Sequence, residues 1–244
     1  MSGELRLDPL TGNWVSIVGN RQARPNLPAT GCPFCVGGLE APEPYDTKAF
    51  VNRWPAYAPG EPVDLAAAAA TGRAAAVGAA EVILYSPVHD GSLGSLGVAQ
   101  VRKVVDLWAD RTAALGARED LAYVLVFENN GAAVGATIPH PHGQIYSYPD
   151  VPALPATELR RLAEGHRLLE DDRPELTVVE RDGWRAWVPS APIWPYGLRV
   201  APLEPRPDLP SLEDGARDAF GSVLTEALRR LEDVFDPPMP YIFW

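Results

Sequence analysis

The sequence predicts an α+β fold, in which short strands are packed with a few amphipathic helices. Three observations carry that prediction. Apolar residues recur at helical spacing in only three stretches, whereas the segments between them hold short alternating or β-branched runs bounded by Pro and Gly. The order strand–strand–helix–strand occurs twice, the second time without its last strand, which reads as an internal repeat in pattern rather than in residue identity. The 244 residues, at about 150 per domain, allow one to two domains.

Asp8-Pro9-Leu10-Thr11-Gly12-Asn13 reads as a turn and Trp14 to Val18 as a strand. Beyond Arg21, Arg24 and Pro25, a loop leads into Gly31-Cys32-Pro33-Phe34-Cys35. Prolines at 42, 44, 55, 59 and 62 punctuate the next stretch around a strand at Ala49-Phe50-Val51. The alanine runs at 66–70 and 74–76, interrupted by Gly72 and followed by Gly78, read as loop as readily as helix. Glu81 to Tyr85 is a strand ending at Ser86-Pro87-Val88-His89-Asp90. Val98 to Leu115 is a helix with Val101, Val104, Val105, Trp108 and Ala109 on one face, closed by Gly116. Leu121 to Phe127 reads as a fully buried strand, Glu128 to Gly131 as a polar turn, and Ile138 to Tyr146 as the returning extended segment. A second helix is predicted over Glu158 to Glu170 with Thr157 as N-cap. Val178-Val179 and Trp184 to Val188 form a hairpin about Asp182-Gly183, and Leu198 to Ala201 is a further strand. A third helix opens at Ser211-Leu212-Glu213-Asp214 with Ala219, Phe220, Val223, Leu224, Ala227, Leu228 and Leu231 in its stripe, before Pro240 to Trp244 begins a strand.

Charge excludes several function classes. With 21 basic and 32 acidic residues the net charge is −11, which argues against broad electrostatic binding to nucleic acid or anionic lipid. Lys48 and Lys103 are the only lysines, so arginine, the better fork for phosphate, supplies the rest; base composition of the genome explains that bias equally well. The 26 Pro and 21 Gly make up about 19% of the chain, below the ~25–30% of disordered sequences. The longest apolar run, Leu121 to Phe127, falls far short of the ~18 residues that span a bilayer. Glu4, Arg6 and Asp8 interrupt the start, so no signal peptide is read and a soluble, cytoplasmic protein is expected.

His140-Pro141-His142-Gly143-Gln144 is the centre of the functional case. In an extended segment His140, His142 and Gln144 share one face, with alternate Cα atoms about 6.6 Å apart. The chain has only four histidines, and placing two of them here beside Pro and Gly is hard to explain by packing; two surface histidines in a loop are the lesser alternative. Cys32-x-x-Cys35 can clamp one edge of a tetrahedral zinc ion, and His89 with one motif histidine completes a Cys₂His₂ set. A redox pair or two ordinary buried thiols remain open for the cysteines on spacing alone, and His166 is read as a helix histidine without a role.

The blocks Asp8-Pro-Leu-Thr-Gly-Asn-Trp14, Arg21-Gln-Ala-Arg-Pro25, Cys32-Pro-Phe-Cys35, Phe50-Val-Asn-Arg-Trp-Pro55, Ser86-Pro-Val-His89 and Phe127-Glu-Asn-Asn-Gly-Ala-Ala-Val-Gly135, running into the His-Pro-His-Gly-Gln segment, resemble the galactose-1-phosphate uridylyltransferases of the histidine-triad superfamily. The resemblance implies a histidine-triad-like fold, mostly antiparallel sheet with packed helices, in two related halves. Residues 1–172 would be the N-terminal half with the zinc site and nucleophile, and 173–244 the curtailed start of the C-terminal half. It implies transfer of UMP from UDP-glucose to galactose 1-phosphate by a ping-pong mechanism through a uridylyl-His142 intermediate. Gln144 would hydrogen-bond the transferring phosphoryl group; Arg21, Arg24, Asn52, Arg53, Asn129, Gly135, Ala136 and Thr137 stand at nucleotide- and phosphate-contacting positions. Cys32, Cys35, His89 and His140 would bind structural zinc.

Departures from the family pattern accompany these matches. Arg53 stands where many members have Asp. Glu158 falls near a carboxylate that binds a second metal, often iron, in some members; the histidines which that site needs are absent after His166, so Glu158 is read as a first-turn helix acid and no iron is expected. About a hundred residues of the family's C-terminal portion are missing, which bears on hexose selection and on the family's homodimer, or points to a separate chain supplying the remainder. An adenine-nucleotide sugar phosphorylase of the same superfamily is the alternative enzyme, against which Gly143 leans; a zinc-stabilised non-catalytic remnant or half of a split enzyme is the alternative of another class.

Overall fold

The computed structural model describes residues 3–19, 31–169 and 173–244. Arg21 and Arg24 lie outside the described residues. Eleven strands are found among the described residues: β1 (Glu4–Leu7), β2 (Trp14–Ile17), β3 (Lys48–Val51), β4 (Arg73–Ala75), β5 (Ala79–Leu84), β6 (Tyr123–Asn130), β7 (His142–Tyr148), β8 (Thr177–Arg181), β9 (Trp184–Trp187), β10 (Arg199–Pro202) and β11 (Tyr241–Phe243). They are joined by helices α1 (Leu65–Ala68), α2 (Val98–Gly116), α3 (Ala153–Ala163) and α4 (Asp214–Glu232).

Strand alternation divides the central sheet, of order β11-β6-β7-β5-β3, into two working faces. Every pair in it is antiparallel, and the register sets Leu84 opposite His142, Val82 opposite Gln144, and Phe127 opposite Gln144 from the other side. One face presents Ile83, Tyr85, Ile145 and Tyr241 to Val101, Val104, Val105 and Trp108 of α2, with Leu224 and Leu228 of α4 behind them. Val82 and Leu84, of opposite parity on β5, pack on the other face against Phe34, Ala41, Ile138 and Phe50. Burying a side chain as large as Trp108 contributes about 3 kcal/mol, so α2 is held to the sheet by its apolar stripe rather than by its ends.

A smaller antiparallel sheet, β10-β9-β8, packs on α4 through Val179, Trp184 and Ala186 against Ala219, Val223 and Ala227. Its hairpin turns at Asp182 (φ 49°) and Gly183 (φ 79°), both left-handed, the geometry whose twist matches the flanking strands. The two long helices are clasped by Arg102, which pairs with Asp106, Asp214 and Asp218, and by Arg217 with Asp106. A third sheet, β2-β1-β4, lies beside these.

The structure corrects several sequence expectations. Ala74 and Ala75 belong to β4, an edge strand made by pairing with β1, and the preceding alanines form the short α1, capped by the Asp64 carboxylate on the Ala66 and Ala67 N–H groups. β6 is half-buried rather than fully buried and runs on through Glu128-Asn129-Asn130, because β11 pairs with those polar residues instead of leaving them in a turn. α3 starts at Ala153 with Pro152 as its N-cap; Thr157 lies inside it, its hydroxyl donating to the Ala153 carbonyl. Glu158 is therefore an exposed residue past the first turn, not a first-turn acid.

A candidate active site beside a four-ligand metal centre

The Cys32-Pro33-Phe34-Cys35 loop folds tightly enough to bring both sulfurs to one side. The Phe34 N–H points to Cys32 Sγ at 3.4 Å, and the Gly38 N–H bonds the Cys35 carbonyl. A Cβ at Gly38 would fall 2.6, 2.7 and 2.8 Å from the carbonyl oxygens of Cys32, Pro33 and Cys35, so only glycine closes this turn. Cys35 Sγ lies 3.4 Å from His89 Nδ1 and 3.7 Å from His140 Nδ1, and Cys32 Sγ lies 3.7 Å from His140 Nδ1. Four ligand atoms, from Cys32, Cys35, His89 and His140, all lie within 4.8 Å of one another.

These spacings can be checked against a metal. A tetrahedral zinc with Zn–S near 2.3 Å and Zn–N near 2.0–2.1 Å sets its sulfur and nitrogen ligands about 3.6 Å apart. The observed 3.4–3.7 Å edges fit it. The second nitrogen of His140, Nε2, is 2.8 Å from the Ser86 carbonyl, which only accepts. That proton fixes the tautomer and leaves the Nδ1 lone pair facing the sulfurs, as outer-shell partners of metal ligands do. Tyr45 completes the outer shell, its hydroxyl donating to the Phe34 carbonyl at 2.7 Å. Burial and the neighbouring Cys32 push the Cys35 thiol up, and burial pushes the His140 imidazolium down. Both shifts favour the neutral forms in the absence of an ion, a thiol and an unprotonated imidazole, so a divalent ion held here would displace the thiol proton on binding.

His142 begins β7 one residue past Pro141, and its Nδ1 is 2.6 Å from the His140 carbonyl oxygen. A carbonyl cannot donate, so Nδ1 carries the proton and Nε2 carries the in-plane lone pair. Phe34 stands between the two functions, its ring centroid 6.0 Å from that of His140 and 5.0 Å from that of His142. Alternation places Gln144 on the same face as His142, whereas His140 precedes the strand and turns its ring into the cysteine cluster. Buried Asn52 accepts from the Trp54 N–H at 2.9 Å and donates Nδ2 to Gln144 Oε1 at 3.4 Å.

Beside these groups opens a cleft lined by Phe34, Phe50, Asn52, Arg53, Trp54 and Ile138. Arg53 at its lip is bound to Glu40 (Nε–Oε1 2.8 Å) and lies over the Trp54 ring. Asn129 does not reach towards this cleft by any described hydrogen bond; its Nδ2 donates to the Val134 carbonyl at 2.6 Å and pins the turn ending at Gly135 (φ 92°). Ala136 is tied back to the Gly131 carbonyl, so Gly135, Ala136 and Thr137 form a bridge from β6 towards His140. Glu158 and His166 lie away on or just after α3, and no cluster of metal-ligating side chains besides the Cys/His set is found among the described residues. Reading the sequence missed Tyr45 and Tyr85, whose local sequence carries no motif, and gave no role to Glu128, although it lies in the Phe127 to Gly135 block; the surroundings of all three arise from other segments.

The family model described as "Galactose-1-phosphate uridyl transferase, N-terminal domain" matches residues 2–152. The galactose-1-phosphate uridylyltransferase of Thermotoga maritima is 34% identical, with 98% of this chain and 79% of that protein covered. Those of Streptomyces lividans (35% identical, 99% and 69% covered) and Rattus norvegicus (30%, 97% and 70%) also match. A solved uridylyltransferase superposes with a TM-score of 0.85 at 28% identity, covering 98% of this chain and 78% of that one. An ADP-glucose phosphorylase from Arabidopsis thaliana shares the fold at a TM-score of 0.72 and 23% identity, covering 99% and 81%. No helix among the described residues is long and apolar enough to cross a membrane. Matched by a family model over more than half its residues and by relatives above 30% identity over nearly all of them, the chain belongs to the galactose-1-phosphate uridylyltransferase family of nucleotidyltransferases.

Proposed function

We propose that the chain transfers UMP from UDP-glucose to a hexose 1-phosphate, galactose 1-phosphate in the first instance, through a covalent adduct on His142. The observation that carries this reading is the 2.6 Å contact of His142 Nδ1 with the His140 carbonyl, which places the proton on Nδ1 and the nucleophilic lone pair on Nε2. Nε2 attacks the α-phosphorus, the bond to the bridging oxygen breaks, and glucose 1-phosphate leaves with that oxygen's electron pair. An oxygen of the second hexose 1-phosphate then attacks the same phosphorus and the P–N bond breaks, returning the electron pair to Nε2. The His140 carbonyl holds the Nδ1 proton throughout, so positive charge in the adduct is spread over a hydrogen-bonded ring.

Gln144 supports the transfer as an uncharged donor. Its Oε1 accepts from Asn52, which leaves its Nε2 hydrogens for a phosphoryl oxygen. The aromatic cleft of Phe34, Phe50 and Trp54 suits a planar base, with Asn52 and Arg53 in its lining; Asn129, Gly135, Ala136 and Thr137 are assigned to the nucleotide on sequence alone. Arg21 and Arg24, in the segment outside the described residues, are assigned to the phosphate charge on sequence alone. Zinc held by Cys32, Cys35, His89 and His140 would supply rigidity at the root of β7 rather than contact substrate.

Residues 1–172 form the half that carries this chemistry, and 173–244 begin a related second half. Each contributes a 19-residue helix followed by a strand, α2 then β6 and α4 then β11, and these two strands pair antiparallel with each other. The test is incubation with UDP-glucose followed by intact-protein mass measurement. One uridylyl group should add to wild type and none to His142→Ala; equal labelling of both, or no adduct on wild type, would refute the mechanism. Competition between UDP-glucose and ADP-glucose for labelling decides the base.

A further inference from the structure

Directly behind the nucleophile, on the helix-covered face of the sheet, lies a buried polar group that the proposed chemistry does not use. Register explains its place. Leu84 is opposite His142 and the Tyr85 N–H bonds the Pro141 carbonyl, so Tyr85 stands beside the start of β7. Phe127 is opposite Gln144, so Glu128 flanks Gly143 from the other side. Tyr85, Gly143 and Glu128 therefore share the face opposite to His142 and Gln144. A Cβ at residue 143 would fall 2.1 Å from Tyr85 Oη. The phenol thus fills the space that a side chain there would take.

Glu128 closes this arrangement. Its Oε1 accepts from Tyr241 Oη at 3.1 Å and from Asn130 Nδ2 at 3.2 Å, and the residue is 2% exposed. Tyr85 Oη, Glu128 Oε2 and Trp108 Nε1 are buried without a hydrogen-bond partner, although each of the other two is among the groups that perturb the Tyr85 phenol. A buried carboxyl with no cation beside it is a net cost that an apolar side chain of similar size would avoid. Such a cost, placed directly behind the residue that does the chemistry, calls for a use.

We propose that Tyr85 and Glu128 are positioning residues for the nucleophile: the phenol of Tyr85 is a strut under Gly143, steadied by Glu128 and Tyr241, which fixes the height of the His142 and Gln144 side chains on the opposite face. This rests on the assignment of His142 above. The strut acts through the backbone and touches no substrate. Without the hydroxyl, β7 can sink towards α2 at its one residue lacking a side chain, and a shift of about 1 Å in an attacking group costs up to 10²-fold in rate.

The experiment is single-turnover formation of the uridylyl adduct from UDP-glucose, by rapid quench, on the full metal-loaded chain. Wild type, Tyr85→Phe, Glu128→Leu and Glu128→Gln are compared across substrate concentrations, with thermal unfolding of each. Tyr85→Phe and Glu128→Leu should label about tenfold more slowly at saturation, with half-saturating concentration within twofold of wild type. Glu128→Leu removes a desolvated carboxyl and should unfold no earlier than wild type, which separates positioning from folding. Glu128→Gln keeps an acceptor for Tyr241 and should recover to within threefold of wild type. Wild-type rates in both Tyr85→Phe and Glu128→Leu, or a loss confined to half-saturation, would overturn the strut while leaving the His142 assignment standing. Absence of any adduct on wild type would overturn both.

Discussion

Glu128 makes a quantitative statement about stability that needs no substrate. Burial is the first cause of its shift, pushing the carboxyl up from 4.5 to about 7, while hydrogen bonds from Asn130 and Tyr241 and the nearby Tyr85 hydroxyl hold it partly down and Glu232 adds a repulsion. The pKa is raised in the folded chain, so its favourable contribution is complete below about pH 4.5 and is withdrawn as pH rises to about 7. Each pH unit across that window costs about 1.4 kcal/mol, or about 3 kcal/mol in all. Glu128→Gln cannot ionise. Urea unfolding of both proteins from pH 4.5 to 8, at a fixed excess of zinc, should therefore show wild type losing about 3 kcal/mol relative to the variant up to pH 7 and running parallel above it. Taking the difference removes the titration of the metal ligands, which both proteins share. Curves parallel over the whole range would mean an ordinary carboxyl and would refute the argument from burial.

Three further outcomes follow from particular contacts. Metal analysis of the purified chain should find about one zinc, and Cys35→Ser should lose it together with several degrees of melting temperature, because one edge of the tetrahedron is then missing. Gly143→Ala would place a methyl against Tyr85 Oη and 2.9 Å from the Phe127 carbonyl; unfolding experiments should give a loss of about 1–3 kcal/mol, and its absence would mean that β7 shifts freely. Arg111 grips buried Glu81 with Nε–Oε2 at 2.8 Å and Nη2–Oε1 at 2.7 Å, so Arg111→Ala should cost about 3 kcal/mol in chemical unfolding by leaving that carboxylate unpaired, whereas Glu81→Gln in the same background should recover part of it.

What could be read from the sequence was whatever one segment determines by itself. The stripe Val101, Val104, Val105, Trp108 and Ala109 is periodic and entirely buried, so α2 was legible to within one residue. Asp182-Gly183 sets its own turn through two left-handed residues, and the hairpin followed. Cys32, Cys35, His89 and His140 were legible as ligand types, and the structure brings them together. The failures share a cause as well. Glu128, Asn129 and Asn130 look like a turn because their polarity is local, while the pairing that makes them strand comes from β11, far along the chain, with Phe243 opposite Glu128 and Tyr241 opposite Asn130. β1 and β4 are strands only by pairing with each other and β2. α3 begins at Ala153, ahead of the predicted Thr157 cap, and Pro155 fits its first turn because a missing N–H there costs no hydrogen bond. Tyr45 and Tyr85 carry no motif, and their surroundings exist only after the sheet has formed.

The proposed chemistry depends on His140 more than its place in a ligand set implies. Its three polar groups face three directions: Nδ1 towards the cysteine sulfurs, Nε2 to the Ser86 carbonyl, and the main-chain oxygen to His142 Nδ1. Ring and carbonyl belong to one residue, so an anchored imidazole also restrains the stretch of backbone whose oxygen accepts from His142 Nδ1. A nucleophile with the proton on the wrong nitrogen presents no lone pair to phosphorus. In the proposed mechanism a metal bound there would bear on reactivity without approaching the phosphate, by restraining that backbone. Substituting His140 or Cys32 removes one ligand each and leaves the main-chain carbonyl in place; any excess loss of labelling in His140→Ala over Cys32→Ala, measured at equal metal depletion, is the share owed to anchoring the residue that carries that carbonyl.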